Sequence, residues 1–451
     1  MGMGRKTERL ATNAYYPWIG LAALWVIGFA GALTRFIMAY YQSQIAADLA
    51  IGRGFISMAW STNLLIAALC APVGGWLIDR FGVRRVMLAS ALFGLAGTAT
   101  VYWGEGAALF FIGYGVLSGL GGLGASAAYV LLFGWFDRHK AKAAAILGSA
   151  SSVGLAVCTP LFVSNVWLTW KLTFLVSAAM SVLLTIPLIL FVIRMPERNA
   201  GFGSKAGEES VAVRQKAGED GTRDAAREQR GEHAAAGFSQ AGAMKGVAGR
   251  GGVSAYLPIA IVAFALFTCG INMGTVEMNL VAIHQGAEVA PSVIALSMTV
   301  LGVMEIAGSL AFGVLTDMMN KRLAMALLYG IRVVGFAVLY AHLGWSSVLF
   351  ALLFGLTYLG AVPGGMLIAG ESARRKGSVV GNLMLFHQAG GIVGALLGGL
   401  SFDAFGNYQL LIAMDAALCV VAMLGYAYTG GIGRGRAAGA AQRRKAIEGS
   451  A

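Results

Sequence analysis

The chain has 451 residues, of which 58% are hydrophobic and only 12% charged, with a mean hydropathy of +0.72. That balance excludes a soluble globular fold, which needs far more polar surface. A net charge of +12 points toward nucleic acid, but the placement of the basic residues removes that reading.

Apolar windows of about 20 residues, the length that crosses a bilayer core, recur along the chain. In chain order they predict twelve helical spans at 17–43, 55–78, 85–103, 107–135, 142–163 and 172–193, then 255–284, 292–316, 323–342, 346–370, 378–401 and 407–429. Residues 194–254 are rich in Gly, Ala and charged types and poor in large apolar ones, so a disordered linker is expected there. The expected organisation is thus a six-helix bundle over 1–193, the linker, a second bundle over 255–429 and a basic tail over 430–451. All but four of the 33 Lys and Arg fall on one side of this layout. Arg53 and Lys171 lie on the other side, and Arg35 and Arg332 lie within spans. The positive-inside rule then predicts cytoplasmic termini in a lipid bilayer and explains the basic balance without nucleic acid. No small-residue cleavage site follows the first apolar block, so it is expected to stay as a helix. Cys70, Cys158, Cys269 and Cys419 each sit inside an apolar block and read as packing residues.

The loop after the second span reads Gly75-Trp-Leu-Ile-Asp79-Arg80-Phe-Gly82-Val-Arg84-Arg85. A weaker copy, with Asp317 and Arg322, follows the eighth span, 238 residues beyond Asp79. Ala145 and Gly154 are echoed by Gly381 and Gly390, both 236 residues on. Two echoes at nearly one offset indicate a duplicated six-helix unit. The loop resembles the signature of the major facilitator superfamily, Gly-x-Leu-x-Asp-Arg-x-Gly followed by basic residues. The resemblance implies an all-α integral membrane protein with twelve transmembrane helices in two pseudo-symmetric bundles, in a bacterial-type inner (plasma) membrane. It also implies that the loop, with Asp79 held by helix ends and arginines, latches one conformational state. Gly121-Gly-Leu-Gly124-Ala-Ser126, Tyr129, the run Trp135-Phe136-Asp-Arg138-His-Lys140 and the turn Phe402-Asp403-Ala-Phe-Gly406-Asn-Tyr408 resemble the monocarboxylate and oxalate:formate branch. Ala145 and Ala150 depart from that branch's glycines, and the eighth span lacks its arginine. The fifth span lacks the glycine-proline pattern of drug-proton antiporters.

Charges inside the hydrocarbon layer are costly, so each needs a partner or a watery cavity. Gly28, Gly31, Arg35 and Gln42 share one face of the first span. The family places the first, fourth, seventh and tenth helices along the central path, so Arg35 is a candidate substrate contact, able to grip a carboxylate through paired hydrogen bonds. An arginine neutralised by a nearby acid is the alternative. Glu277, on the polar seventh span, and Glu305, on the eighth, are the candidate proton carriers, and either could instead neutralise Arg35. Asn272, Tyr129 and His387 complete the expected binding set. A structural hydrogen bond to a backbone carbonyl is equally open for His387, and close helix approach alone explains the glycines after it. Arg332 and Asp415, both near mid-span on peripheral helices, are expected to form a structural ion pair.

These features favour secondary transport of a small organic anion by proton symport, with no metal or other cofactor and a monomeric chain. Transport of another small solute, including drug or metabolite efflux, is the alternative, and a transporter-like sensor stands further off. No phosphate-binding loop supports a primary pump, and no nucleophile-base pair or metal cluster supports an enzyme.

Overall fold

The structure is a computed structural model that describes residues 15–136, 139–194, 257–372 and 376–448. The linker and the two chain ends therefore lie outside the described residues. Among the described residues, twelve helices are long and apolar enough to cross a membrane: Tyr16–Tyr40, Arg53–Phe81, Val83–Trp103, Gly106–Trp135, Lys142–Ser164 and Trp170–Val192, then Leu257–Gly286, Pro291–Met318, Lys321–Ala341, Ser346–Ala369, Gly381–Phe405 and Gln409–Gly430. They are called spans 1 to 12 below, and they pack as one compact unit. Span 1 ends earlier than the hydropathy suggests, because a separate short helix, Gln42–Leu49, takes over after Tyr41. The helix of span 12 runs on to Glu448.

Two of the spans are broken at corresponding places. Span 4 tightens into a 3-10 turn at Gly121–Gly124. Span 10 stops at Tyr358 and restarts at Ala361, with Leu359 and Gly360 between. Gly360 minus Gly124 gives 236, the same offset as the sequence echoes, so the duplication extends to the interruptions of these helices. Span 4 also carries a π-helical stretch, Phe111–Leu117, which places Tyr114 on a widened turn.

The halves meet along spans 2 and 11 and along spans 5 and 8. In the second half, spans 7 and 11 run backbone against backbone: a Cβ on Gly270 or Gly390 would collide with the facing main chain. Close helix approach thus accounts for the glycine face of span 11.

Hydrogen bonds between the halves run from the middle of the spans to the end opposite the basic loops, here termed the far end. Asp403, at the end of span 11, caps the start of span 2: its two oxygens accept from the Arg53 and Gly54 backbone N–H groups at 2.9 and 2.8 Å. A carboxylate at a helix N-terminus is favoured by the exposed N–H groups and the helix dipole. The Arg53 guanidinium lies 3.6 Å from the Phe402 ring centre and donates to the Tyr408 hydroxyl at 2.9 Å. Tyr408 donates to Gln42 at 3.1 Å, and Gln42 donates to Asn279 at 3.4 Å. This chain closes the far end.

The signature loop sits at the other end, the basic end. Gly82 adopts φ +84°, a conformation suited to glycine, and so makes the tight turn expected of it. Arg80 lies over the Trp76 and Phe81 rings, and Arg84 donates to the Leu190 carbonyl. A Cβ on Gly75 would come within ordinary contact range of the Ser126 hydroxyl. Asp79 is exposed and forms no hydrogen bond or ion pair with a described residue. The described hydrogen bonds between the halves lie from mid-span to the far end, away from Asp79. In the second copy Asp317 is also exposed, while Arg322 donates to the Thr429 carbonyl and ties span 9 to span 12.

The direct Arg332–Asp415 ion pair is not formed. Asn272 of span 7 lies between the two: its oxygen accepts from Arg332 at 3.2 Å and its nitrogen donates to Asp415 at 2.7 Å. Arg332 also donates to Thr357 and to the Thr357 and Tyr358 carbonyls, the groups freed by the break in span 10. All three side chains are fully buried. A carboxamide can serve a donor on one side and an acceptor on the other, which lets it relay between charges held too far apart to touch.

Two outcomes follow. Arg332→Met should destabilise the chain by about 3 kcal/mol, as when one partner of a buried network is removed. It would show as a lower thermal unfolding midpoint in detergent, partly recovered in Arg332→Met/Asp415→Leu; an unchanged midpoint would deny the network a structural role. Asp403→Ala should let the far ends of the halves separate. Spin labels at the exposed Glu105 and Gly344 should then report a longer or broader distance than without the substitution, and an unchanged distribution would show that Asp403 does not hold them.

Candidate functional site

Span 1 carries Arg35 about 10 Å before the Gln42 seal, by the rise of an α-helix over seven residues. Span 7 brings Glu277 to it from the other half. Arg35 Nη1 lies 3.4 Å from Glu277 Oε2, and the two side chains are 40% and 24% exposed. Neither is sealed, so the pair is within reach of a solute. The Tyr358 hydroxyl, at the break in span 10, donates to Glu277 Oε1 at 2.6 Å. Each carboxylate oxygen thus has one partner, a cation from the first half and a hydroxyl from the second.

Beside Arg35 lies a cavity of about 380 Å³ whose lining includes Arg35, Gly28, Gly31, Asn63, Gly94 and Tyr114. Of the face expected on span 1, Gly28, Gly31 and Arg35 line the cavity, while Gln42 is fully buried away from it. Tyr114 is nearly buried, packed between Trp60 and Phe110, and its carbonyl accepts from the Asn63 side chain at 2.8 Å.

Glu305 is separate. It is 4% exposed between spans 5 and 8, and Ser152 of the first half donates to it at 2.6 Å. It has no cation within ion-pair distance among the described residues. An ionised carboxylate with one neutral donor is poorly compensated in such a place.

The other expected binding residues do not join Arg35. Asn272 is fully buried as the relay between Arg332 and Asp415, which corrects its placement on the cavity: span 7 turns its Asn272 face inward to the second bundle. His387 Nδ1 lies 3.1 Å from the Leu266 carbonyl, the structural alternative, because spans 7 and 11 are in backbone contact there. Tyr129 is 47% exposed beside Phe133 and does not line the cavity. Tyr358, Tyr114 and Ser152 were not among the expected residues. Tyr358 had a usable signal, since Thr357-Tyr358 interrupts an apolar run in a helix placed along the path. No group of three or more His, Cys, Asp or Glu able to hold a metal occurs among the described residues.

Comparison with known proteins agrees with this architecture. Residues 24–262, more than half of the chain, match the Major Facilitator Superfamily. The chain is 26% identical to the MFS-type transporter YcxA of Bacillus subtilis (strain 168), over 91% of this chain and 94% of that protein. It is 29% identical to mouse monocarboxylate transporter 3 over 150 residues, which is 32% of this chain and 30% of that transporter. Among solved structures, the nucleoside transporter NupG superposes with a TM-score of 0.64 at 13% identity, over 91% of this chain and 98% of that one. The peptide transporter POT does so with a TM-score of 0.64 at 18% identity, over 92% and 95%. At those identities the likeness is one of fold alone. The whole-chain relative, the twelve spans and the duplicated signature loop agree with the family match: this chain belongs to the Major Facilitator Superfamily and is a membrane transporter, not an enzyme.

Proposed function

We propose that the chain carries a small organic anion together with a proton, by alternating access at Arg35. The observation that carries this reading is the Arg35–Glu277 contact, a charge pair made between the two halves at the edge of a cavity. The partial match to monocarboxylate transporter 3 supports a carboxylate as cargo.

In the empty protein Glu277 neutralises Arg35. An arriving carboxylate takes the guanidinium through two parallel charge-assisted hydrogen bonds. Glu277 then loses its cation and keeps only Tyr358. A carboxylate left so inside a membrane is costly, and one proton from solution removes the cost. One anion and one proton are then aboard, so the loaded site has the same net charge as the empty one. Rocking of the halves exposes the site to the other side, where the anion leaves, the proton follows and Glu277 returns to Arg35. With the basic end in the cytoplasm, the state described is closed to the outside by the Asp403 and Gln42 contacts. The Ser152–Glu305 hydrogen bond joins the halves and reports on the same motion.

Uptake of labelled monocarboxylates into proteoliposomes under a pH gradient tests this. Arg35→Gln should lower uptake by about 100-fold, the order expected when charge-assisted hydrogen bonds to a carboxylate are lost. Glu277→Gln should leave anion exchange in place and remove its dependence on the gradient. Full uptake by Arg35→Gln would overturn the binding role. A gradient response that survives Glu277→Gln would overturn the proton route.

A further inference from the structure

Among the described residues, the cavity beside Arg35 is lined by spans 1 to 6 alone, with none from the second half. Arg35 stands at its edge, turned to Glu277 on one side and to this first-half chamber on the other. At about 380 Å³ the chamber falls within the range of small-molecule pockets and exceeds what a two-carbon acid would fill. Its walls combine apolar side chains, among them Ile27, Trp60 and Met87, with six Ser and Thr residues, of which Ser90, Thr98 and Ser181 donate to backbone carbonyls, and with the polar side chains of Asn63 and Tyr114. The Tyr114 hydroxyl forms no hydrogen bond with a described residue, and Asn63 uses its nitrogen on the Tyr114 carbonyl, leaving its oxygen as an acceptor. Gly31 and Gly94 face open space, since a Cβ on either would meet nothing within 4 Å. Among the described residues Arg35 is the only Lys, Arg or His in the lining, so a second carboxylate on the same solute would have no counter-charge from them.

We infer that this chamber holds the body of the transported anion, a monocarboxylate with a ring-sized apolar body, its carboxylate on Arg35 and Tyr114. The inference rests on the anion reading above and adds to it the place and class of the cargo. Specificity then comes from the first half, while the second half supplies the displaced carboxylate.

Benzoate and acetate are suitable probes, with succinate as the dicarboxylate, in calorimetric binding to the purified chain and in proteoliposome uptake. Benzoate should bind more tightly than acetate or succinate. Gly94→Val and Gly31→Val, on different spans and at positions where an added Cβ meets nothing within 4 Å, should each lower the ratio of benzoate to acetate uptake by about tenfold, the order of effect of added methyl groups in a fitted pocket. An unchanged ratio in both variants, or a chain that carries acetate and succinate as well as benzoate, would overturn the chamber while leaving anion transport standing. Benzoate binding weakened by both valines, without transport of any anion, would support the chamber and remove the transport reading instead. Absence of benzoate binding would overturn the chamber.

Discussion

A guanidinium inside a membrane needs a negative partner within reach, and a partner on a different rigid body makes that need a link between bodies. Arg35 and Glu277 stand in this relation, one on span 1 and the other on span 7. Their partial exposure keeps the pair exchangeable, in contrast to the sealed relay of Arg332, Asn272 and Asp415. The chain therefore holds two kinds of intramembrane charge. One kind is locked by a carboxamide and by the carbonyls of a broken helix, and it fixes the second bundle. The other is partly exposed and lies beside a cavity.

The surroundings of the loose pair follow from that requirement. The Gln42–Asn279 contact closes the path two turns beyond Arg35 and two residues beyond Glu277. Asp403 on the first turn of span 2 fixes the same closure from the edge of the molecule. The break in span 10 exposes carbonyls for Arg332 and brings the Tyr358 hydroxyl to Glu277, so a single interruption serves both charge systems. A 3-10 turn interrupts span 4 at the corresponding place, Gly121–Gly124.

Much of this was legible in the sequence because the membrane leaves a chain few choices. Apolar length gave the spans, basic loops the sidedness expected of them, and offsets of 236 and 238 residues the duplication. Arg35 with an acidic partner was legible for the same reason, since an intramembrane charge must be answered. What sequence could not supply was direction around the helix axis. Span 7 has polar residues on two stripes, and only the packed helix shows that Glu277 meets the first half while Asn272 turns into its own bundle. Asp403 was visible only as part of a family-like turn. Its grip on span 2 depends on bringing together residues 350 positions apart.

The account stands or falls on Glu277 exchanging Arg35 for a proton when an anion arrives. Infrared difference spectroscopy of the purified protein, recorded on adding an isotopically labelled monocarboxylate, observes that exchange directly. The predicted result is a new protonated-carboxyl band on binding that is absent from Glu277→Gln. Binding without such a band, or with the same band in Glu277→Gln, would contradict it.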